Sequence, residues 1–317
     1  MPDYGGYLKT KIRHMPLILV AMVLGVGFSL IPQKLHAEQW RLVREGIRFG
    51  ISGMALWQQQ NNSVSFVIVH DNKNSDEGRL AVLTLTPQQT PIYMPLSWPN
   101  AEEMPADLEA ITAVPGAGKP SFMAATSYGK IYHLTINEKQ EVSLLGVFDL
   151  PPYPEGSNFE GFALQEINGK LLAFWGNRGE NEDPGVIYWG TIDLSRYQIA
   201  VLGSAKVRVP FPVPSQHGSR VGNVRHVSDL KVDPAGIVYI SSAMDSGDDG
   251  PFASAWYAVG AVMVVNDRVE FRQNTSLVPL RRFPDRKIEA FELFPGASGG
   301  VVFGSDDENM GGWVYAN

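Results

Sequence analysis

Hydrophobic residues in this chain are not spaced on a helical period. From about residue 40 onward they fall in short runs rich in Val, Ile, Leu, Phe and Ala, broken by Gly, Pro, Asn and Asp. Runs of that length with those punctuators predict strands and turns. One kind of run recurs: Ile51-Ser-Gly-Met-Ala-Leu56, Leu108-Glu-Ala-Ile-Thr-Ala113, Phe159-Glu-Gly-Phe-Ala-Leu164, Val227-Ser-Asp-Leu-Lys-Val232 and Ile288-Glu-Ala-Phe-Glu-Leu293. Each reads apolar, then Ser or Glu, then a small or short residue, then a large apolar one. The second positions are Ser52, Glu109, Glu160, Ser228 and Glu289, separated by 57, 51, 68 and 61 residues.

Each run opens a unit of constant order. A second strand is expected over 64–69, 121–125, 171–175, 237–241 and 300–303, and a third over 80–85, 131–136, 186–192, 257–265 and 313–315. The first four units add a fourth strand, such as 142–149 or 198–209, whereas the fifth stops after its third at Asn317. The strand-like segment 39–49 precedes the first unit and has no other partner, so it supplies the missing outer strand of the fifth. Five four-stranded units closed by a borrowed strand predict an all-β chain, a five-bladed β-propeller. Closure leaves no open sheet edge. A β-sandwich or two β domains is the competing arrangement, and a sixth, degenerate blade could lie in the Pro-rich stretch 205–226.

In such a ring the first strand of each blade lines the axial channel, which brings the five second positions face to face. Three of them are carboxylates, and three carboxylates without counter-charge repel one another and take up protons. A shared cation relieves this. Oxygen donors on separate strands suit Ca²⁺, with Mg²⁺ less suited because it keeps more of its water. The candidate metal ligands are therefore Ser52, Glu109, Glu160, Ser228 and Glu289. The alternative is a wet channel that binds nothing.

The loop after each second strand returns to the same face, 17–19 positions beyond the ring residue. These loops bring Asp71, Lys73, Lys130, Arg178, Asp245, Asp248, Asp249 and Glu308 to the channel mouth. Acids mixed with Lys and Arg suit a metal-assisted phosphate site, with Asp71 orienting water and Lys73 and Arg178 holding phosphate oxygens. As simple turn formers, the same Asp, Asn and Gly residues need no function.

Composition narrows the rest. There is no Cys, which excludes disulfides and thiolate metal sites. No basic tract or Gly-x-Ser-x-Gly elbow appears, so neither nucleic-acid binding nor a serine-hydrolase elbow is expected. Lys9, Lys11 and Arg13 precede an apolar run from Met15 to Pro32, and Ala37 offers a small residue before Glu38. Residues 1–37 thus read as a signal peptide or a membrane anchor, and residues 38–317 as the propeller, exported to the periplasm, the outside or a lumen. Without residues 1–37, which hold four bases and one acid, the net charge moves from −7 to −10. An acidic exported chain suits divalent cations better than anionic polymers.

The order Ser, Glu, Glu, Ser, Glu, one per blade, resembles the calcium-activated nucleotidase (apyrase) family of five-bladed propellers. That resemblance implies a central Ca²⁺ held by the five ring residues and hydrolysis of nucleoside di- and triphosphates. The blade-one loop departs from the family: its Asp-Asp-Arg-Thr-Gly run is Asp71-Asn72-Lys73-Asn74-Ser75 here. Lys lacks the bidentate fork of Arg. The phrases Asn158-Phe-Glu-Gly-Phe-Ala-Leu164 and Asp107-Leu-Glu-Ala-Ile-Thr-Ala-Val114 also resemble phytase-like and esterase-like propellers. Two other functions compete: a non-catalytic propeller with structural calcium that binds a partner protein through exposed apolars such as Phe252 or Trp256, and an esterase- or lactonase-like hydrolase.

Overall fold

The computed structural model describes residues 40–60, 62–100, 104–210, 223–294 and 300–316. Residues 1–37 and most of the stretch 205–226 that could hide a sixth blade lie outside them. Among the described residues no helix is long and apolar enough to cross a membrane.

The strands form five separate antiparallel sheets. Blade 1 is β2 (Gly53–Gln60), β3 (Ser63–Val69), β4 (Leu80–Leu85) and β5 (Ile92–Leu96). Blade 2 is β6 (Leu108–Ala113), β7 (Ser121–Thr126), β8 (Lys130–Ile136) and β9 (Val142–Asp149). Blade 3 is β10 (Phe159–Ile167), β11 (Lys170–Asn177), β12 (Gly185–Asp193) and β13 (Gln198–Val207). Blade 4 is β14 (Asn223–Val232), β15 (Ile237–Asp245), β16 (Ala253–Val265) and β17 (Arg268–Gln273), with an unforeseen short β18 (Arg281–Phe283) on β16. Blade 5 is β19 (Ile288–Phe294), β20 (Gly300–Asp306) and β21 (Gly312–Ala316), completed on its outer edge by β1 (Arg41–Arg44). The predicted closing strand is shorter than 39–49: after Arg44 the chain turns into a 3₁₀ turn at Ile47–Phe49.

The inner strands touch in the cyclic order β2, β6, β10, β14, β19 and back to β2. Each blade is therefore covered on both faces, and its inner strands are apolar on both faces: Phe66, Val67, Ile68 and Val69 are all fully buried. The outer strands alternate instead, and β9 changes between half-buried and exposed at every residue. The core divides into five clusters, one at each blade interface, such as Phe174, Ile187, Leu230 and Tyr257 between blades 3 and 4. This radial stacking builds the core from sheet-on-sheet contacts, with no α-helix among the described residues.

Candidate functional site

The ring residues owe their direction to bulges. Pairing of β6 with β7 skips from Leu108 to Ala110, β10 with β11 from Phe159 to Gly161, and β19 with β20 from Ile288 to Ala290. Glu109, Glu160 and Glu289 are the extra residues, and a bulge re-aims the side chain it carries. In blade 4 the shift spans Arg225 to Asp229 and includes Ser228. In blade 1 Ser52 stands just ahead of β2, its N–H bonded to the carbonyl of Val69 at 3.2 Å. All five are buried.

The small residue that follows each ring position has a steric reason. A Cβ on Gly53 would lie 2.9 Å from Ala110 Cα, and one on Gly161 would lie 2.6 Å from Leu230 Cβ. That position packs against the backbone of the next blade. Blade 4 carries Asp229 there, and its carboxylate accepts the N–H of Leu230 at 2.7 Å and that of Phe291 in blade 5 at 2.8 Å.

Above the ring lies a cavity of ≈ 380 Å³ lined by Asp71, Asp107, Glu109, Glu160 and Glu289, by Lys73, Arg178, Arg225 and Lys287, and by Glu308, Arg48, Glu77, three Asn and Ile47. No aromatic residue lines it among the described residues. Its charge is divided by blade. On the side of blades 1 and 2, carboxylate oxygens of Asp71, Asp107 and Glu109 all lie within 4.8 Å of one another. Asp71 and Glu109 have no ion pair among the described residues, while Asp107 is tied to Lys73 Nζ at 3.0 Å and accepts a hydrogen bond from Ser127 Oγ.

On the side of blades 3 to 5 the acids are already paired. Arg178 Nη1 stands 3.4 Å from Glu160 Oε1, and Arg225 Nη1 donates to Glu289 Oε1 at 2.7 Å. Lys287 Nζ lies 3.2 Å from Glu289 Oε1 and also donates to Glu308. Glu160 Oε2 is buried with no hydrogen-bond partner among the described residues, as is Ser52 Oγ. Ser228 is occupied: its Oγ donates to the carbonyl of Ile288 at 2.8 Å.

These surroundings set the protonation of the site. Burial raises the Glu109 carboxyl well above the usual range, and Glu160, Asp71 and Glu289 add repulsion. Burial, then Glu289, raises Asp71 to about 6 against the pull of Lys287. Burial raises Glu160 to about 7, with Arg225 opposing and Glu289 reinforcing. Carboxyls held this high in a cavity mark a functional candidate with a stated cause.

Of the predicted site residues, Asp71, Lys73, Glu109, Arg178, Glu160, Glu289 and Glu308 converge on the cavity. Ser52 and Ser228 sit in the ring without lining it. Lys130 pairs outward with Asp149 at 3.7 Å, and Asp249 accepts from Asn309 Nδ2 at 3.1 Å. Phe252 and Trp256, which the partner-binding alternative takes as exposed, belong to the interior: Phe252 is 2% exposed, and Trp256 stacks on Tyr239 at 5.0 Å. Asp107, Arg225 and Lys287 were not foreseen. Their signal is a charge two or three residues ahead of a ring position, within or just before the strand.

Asp71, Asp107 and Glu109 fit a hard cation. All are oxygen donors, and their spacing suits Ca²⁺, whose ligand oxygens stand about 2.3–2.6 Å from the ion.

No protein-family model matches the sequence, and a search of curated proteins finds no relative. Solved structures with this fold include an endo-arabinase from Bacteroides thetaiotaomicron, 9% identical, covering 88% of this chain and 98% of that one with a TM-score of 0.51. They also include an endo-1,4-beta-xylanase from the same organism, 10% identical, covering 86% of this chain and 92% of that one with a TM-score of 0.52. These neighbours are glycoside hydrolases rather than nucleotidases or phytases, and at such identities the likeness shows the shared propeller fold alone.

Proposed function

We propose that this chain is a metal-assisted hydrolase of a small phosphorylated molecule. The observation that carries the reading is the divided charge of the cavity. On the blade 1–2 side three acids meet a single close ammonium, that of Lys73 on Asp107, and suit a divalent cation, while Arg178, Arg225 and Lys287 on the other sides suit the anion that accompanies it. Small-molecule pockets are ordinarily lined by apolar and aromatic side chains, whereas this lining has Ile47 as its one apolar side chain and no aromatic ring among the described residues. When bound, the cation would offset charge on phosphoryl oxygens. Asp107 and Glu109 would hold it. Asp71, which has no ion pair among the described residues, would stand beside the cation as its third oxygen donor and orient the attacking water. Arg178, whose other contact is the longer 3.4 Å pair with Glu160, and Lys73 would hold phosphate oxygens.

The test is release of phosphate from nucleotides, phytate and simple phosphate esters, with Ca²⁺, with Mg²⁺ and with chelator. Arabinan and xylan oligosaccharides and carboxylic esters serve as rivals. The reading expects cation-dependent phosphate release that falls at least a hundredfold in Asp71→Asn. Cleavage of the sugars or esters alone, or no phosphate release from any compound, rejects it.

A further inference from the structure

The ring of five would need a cation on the axis only if its acids lacked counter-charge. Arg225 supplies it from within the fold. It enters from β14, three residues ahead of Ser228, and its side chain is 17% exposed. One end of the guanidinium meets Glu289 at 2.7 Å and the other meets Asp245 Oδ2 at 2.6 Å. Burial works against its charge, yet Glu289, Glu160, Asp245 and Glu109 outweigh it and hold the guanidinium above its ordinary value. All three ring glutamates therefore act on one side chain. Lys287 closes on Glu289 as well, at 3.2 Å. A divalent ion among Glu160, Ser228 and Glu289 would face a guanidinium and an ammonium at close range, and Ser228 already spends its hydroxyl on Ile288.

We propose that Arg225 takes the place of a cation shared by the whole ring, and that divalent-cation binding is displaced towards the blade 1–2 side, to Asp71, Asp107 and Glu109. A second observation points to a ligand on that side. Glu109 is 8% exposed and has no ion pair among the described residues. Across the same cavity, Glu160 Oε2, from a side chain 1% exposed, is buried with no hydrogen-bond partner among the described residues. Unpaired buried carboxylate oxygens are costly, and they lie where Arg225 does not reach with a hydrogen bond. The displaced site rests on the cation reading above, but it does not depend on hydrolysis.

The experiment is Ca²⁺ titration by calorimetry, with melting temperature as a second readout, on the full chain after chelator treatment. Wild type should bind one Ca²⁺ and melt higher with it. Asp107→Asn should weaken Ca²⁺ at least tenfold, whereas Glu289→Gln and Arg225→Lys should keep the affinity within about threefold. Arg225→Gln should gain a second bound Ca²⁺, since it frees the ring. If Arg225→Gln fails to fold, Glu289→Gln and Arg225→Lys decide. Loss of Ca²⁺ binding in Glu289→Gln with retention in Asp107→Asn overturns the inference, as does a wild type that binds no Ca²⁺. Ca²⁺-dependent phosphate release with a cation shared by the whole ring would leave the proposed function standing and this inference rejected. Binding on the blade 1–2 side without phosphate release would do the reverse.

Discussion

Lys231 Nζ donates a hydrogen bond to the main-chain carbonyl of Ile111 at 2.6 Å, carrying a buried ammonium from blade 4 across the channel to blade 2. It is the cation of a second polar layer on the inner strands. Asp229 ties blade 4 to blade 5 through the N–H of Phe291, Glu292 ties blade 5 to blade 1 through the N–H of Leu56 at 3.3 Å, and Thr112 Oγ accepts the N–H of Leu164 at 3.3 Å between blades 2 and 3. Lys231 favours the charged forms of both Asp229 and Glu292. Lys231→Met would leave two buried acids without that counter-charge. Burial raises both carboxyls and Lys231 opposes it, so loss of that charge together with its buried hydrogen bond to Ile111 should cost about 1.5–3 kcal/mol and lower the urea midpoint. A midpoint equal to wild type would mean that the layer is not held by charge.

Gly161 illustrates how the ring imposes a residue type. A methyl group there would stand 2.6 Å from Leu230 Cβ and 2.8 Å from the Leu230 backbone nitrogen. Backbone cannot swing aside as a flexible side chain can. Overpacking of this kind costs about 1–3 kcal/mol. Gly161→Ala should therefore lower the melting temperature by several degrees and shift the pH profile of Glu160, which precedes it. Alanine at the equivalent place in blades 2 and 5 shows that the space differs from blade to blade, so a swap of Ala110 to Gly should cost no more than about 1 kcal/mol.

The same strand starts explain what was legible beforehand. Blade order, blade number and the cavity position of Glu109, Glu160 and Glu289 followed from a local pattern of apolar, acid, small, large, because each bulge repeats the same local geometry. The strands β4 and β9 matched their expected bounds for the same reason. Counter-charges were not legible. Arg225 meets Glu289 across 64 residues of sequence, and no local pattern announces that a charge in blade 4 will turn towards blade 5. Trp256 falls in a predicted strand and packs as a core residue, edge-on to Phe303 at 5.5 Å, so it offers no exposed face to the partner-binding alternative.

Closure of the ring depends on a strand of four residues, so its anchors matter. Trp40, just ahead of β1, packs against Tyr315 at 5.5 Å and Phe283 at 5.9 Å, and the Arg286 guanidinium lies 5.4 Å from its ring centre. Arg41 Nη1 reaches the carbonyl of Thr86 in blade 1 at 2.9 Å. Trp40→Ala should cost about 2–4 kcal/mol, near the lower end for buried aromatics because the residue is half-buried. It should also expose the N-terminal strand to limited proteolysis before the rest of the chain unfolds. Cleavage patterns identical to wild type would show that β1 is held without Trp40.

The acids of the cavity predict an unusual pH response in the absence of a divalent cation. Asp71 is held at about 6 and Glu160 at about 7, in both cases through burial first, and Glu109 lies well above the usual range. In the unfolded chain such carboxyls release their protons near pH 4. Between about pH 4 and pH 7 the folded chain therefore binds protons that the unfolded chain has lost, and stability falls as pH rises. For Glu160 alone the loss approaches about 3 kcal/mol by neutral pH. Asp245 runs the other way: burial opposes its charge, but Lys287, the N–H of Gly247 and Arg225 outweigh it, so its stabilisation is lost only in acid below that window. A cation on Asp71, Asp107 and Glu109 favours the charged forms and should cancel much of the fall. Melting temperatures measured from about pH 5 to about pH 7.5 should decline in chelator and stay nearly level in excess Ca²⁺. A chelated curve that is flat or rising would show that these carboxyls are already ionised in the folded chain, and the charge division of the cavity would then need no cation to balance it.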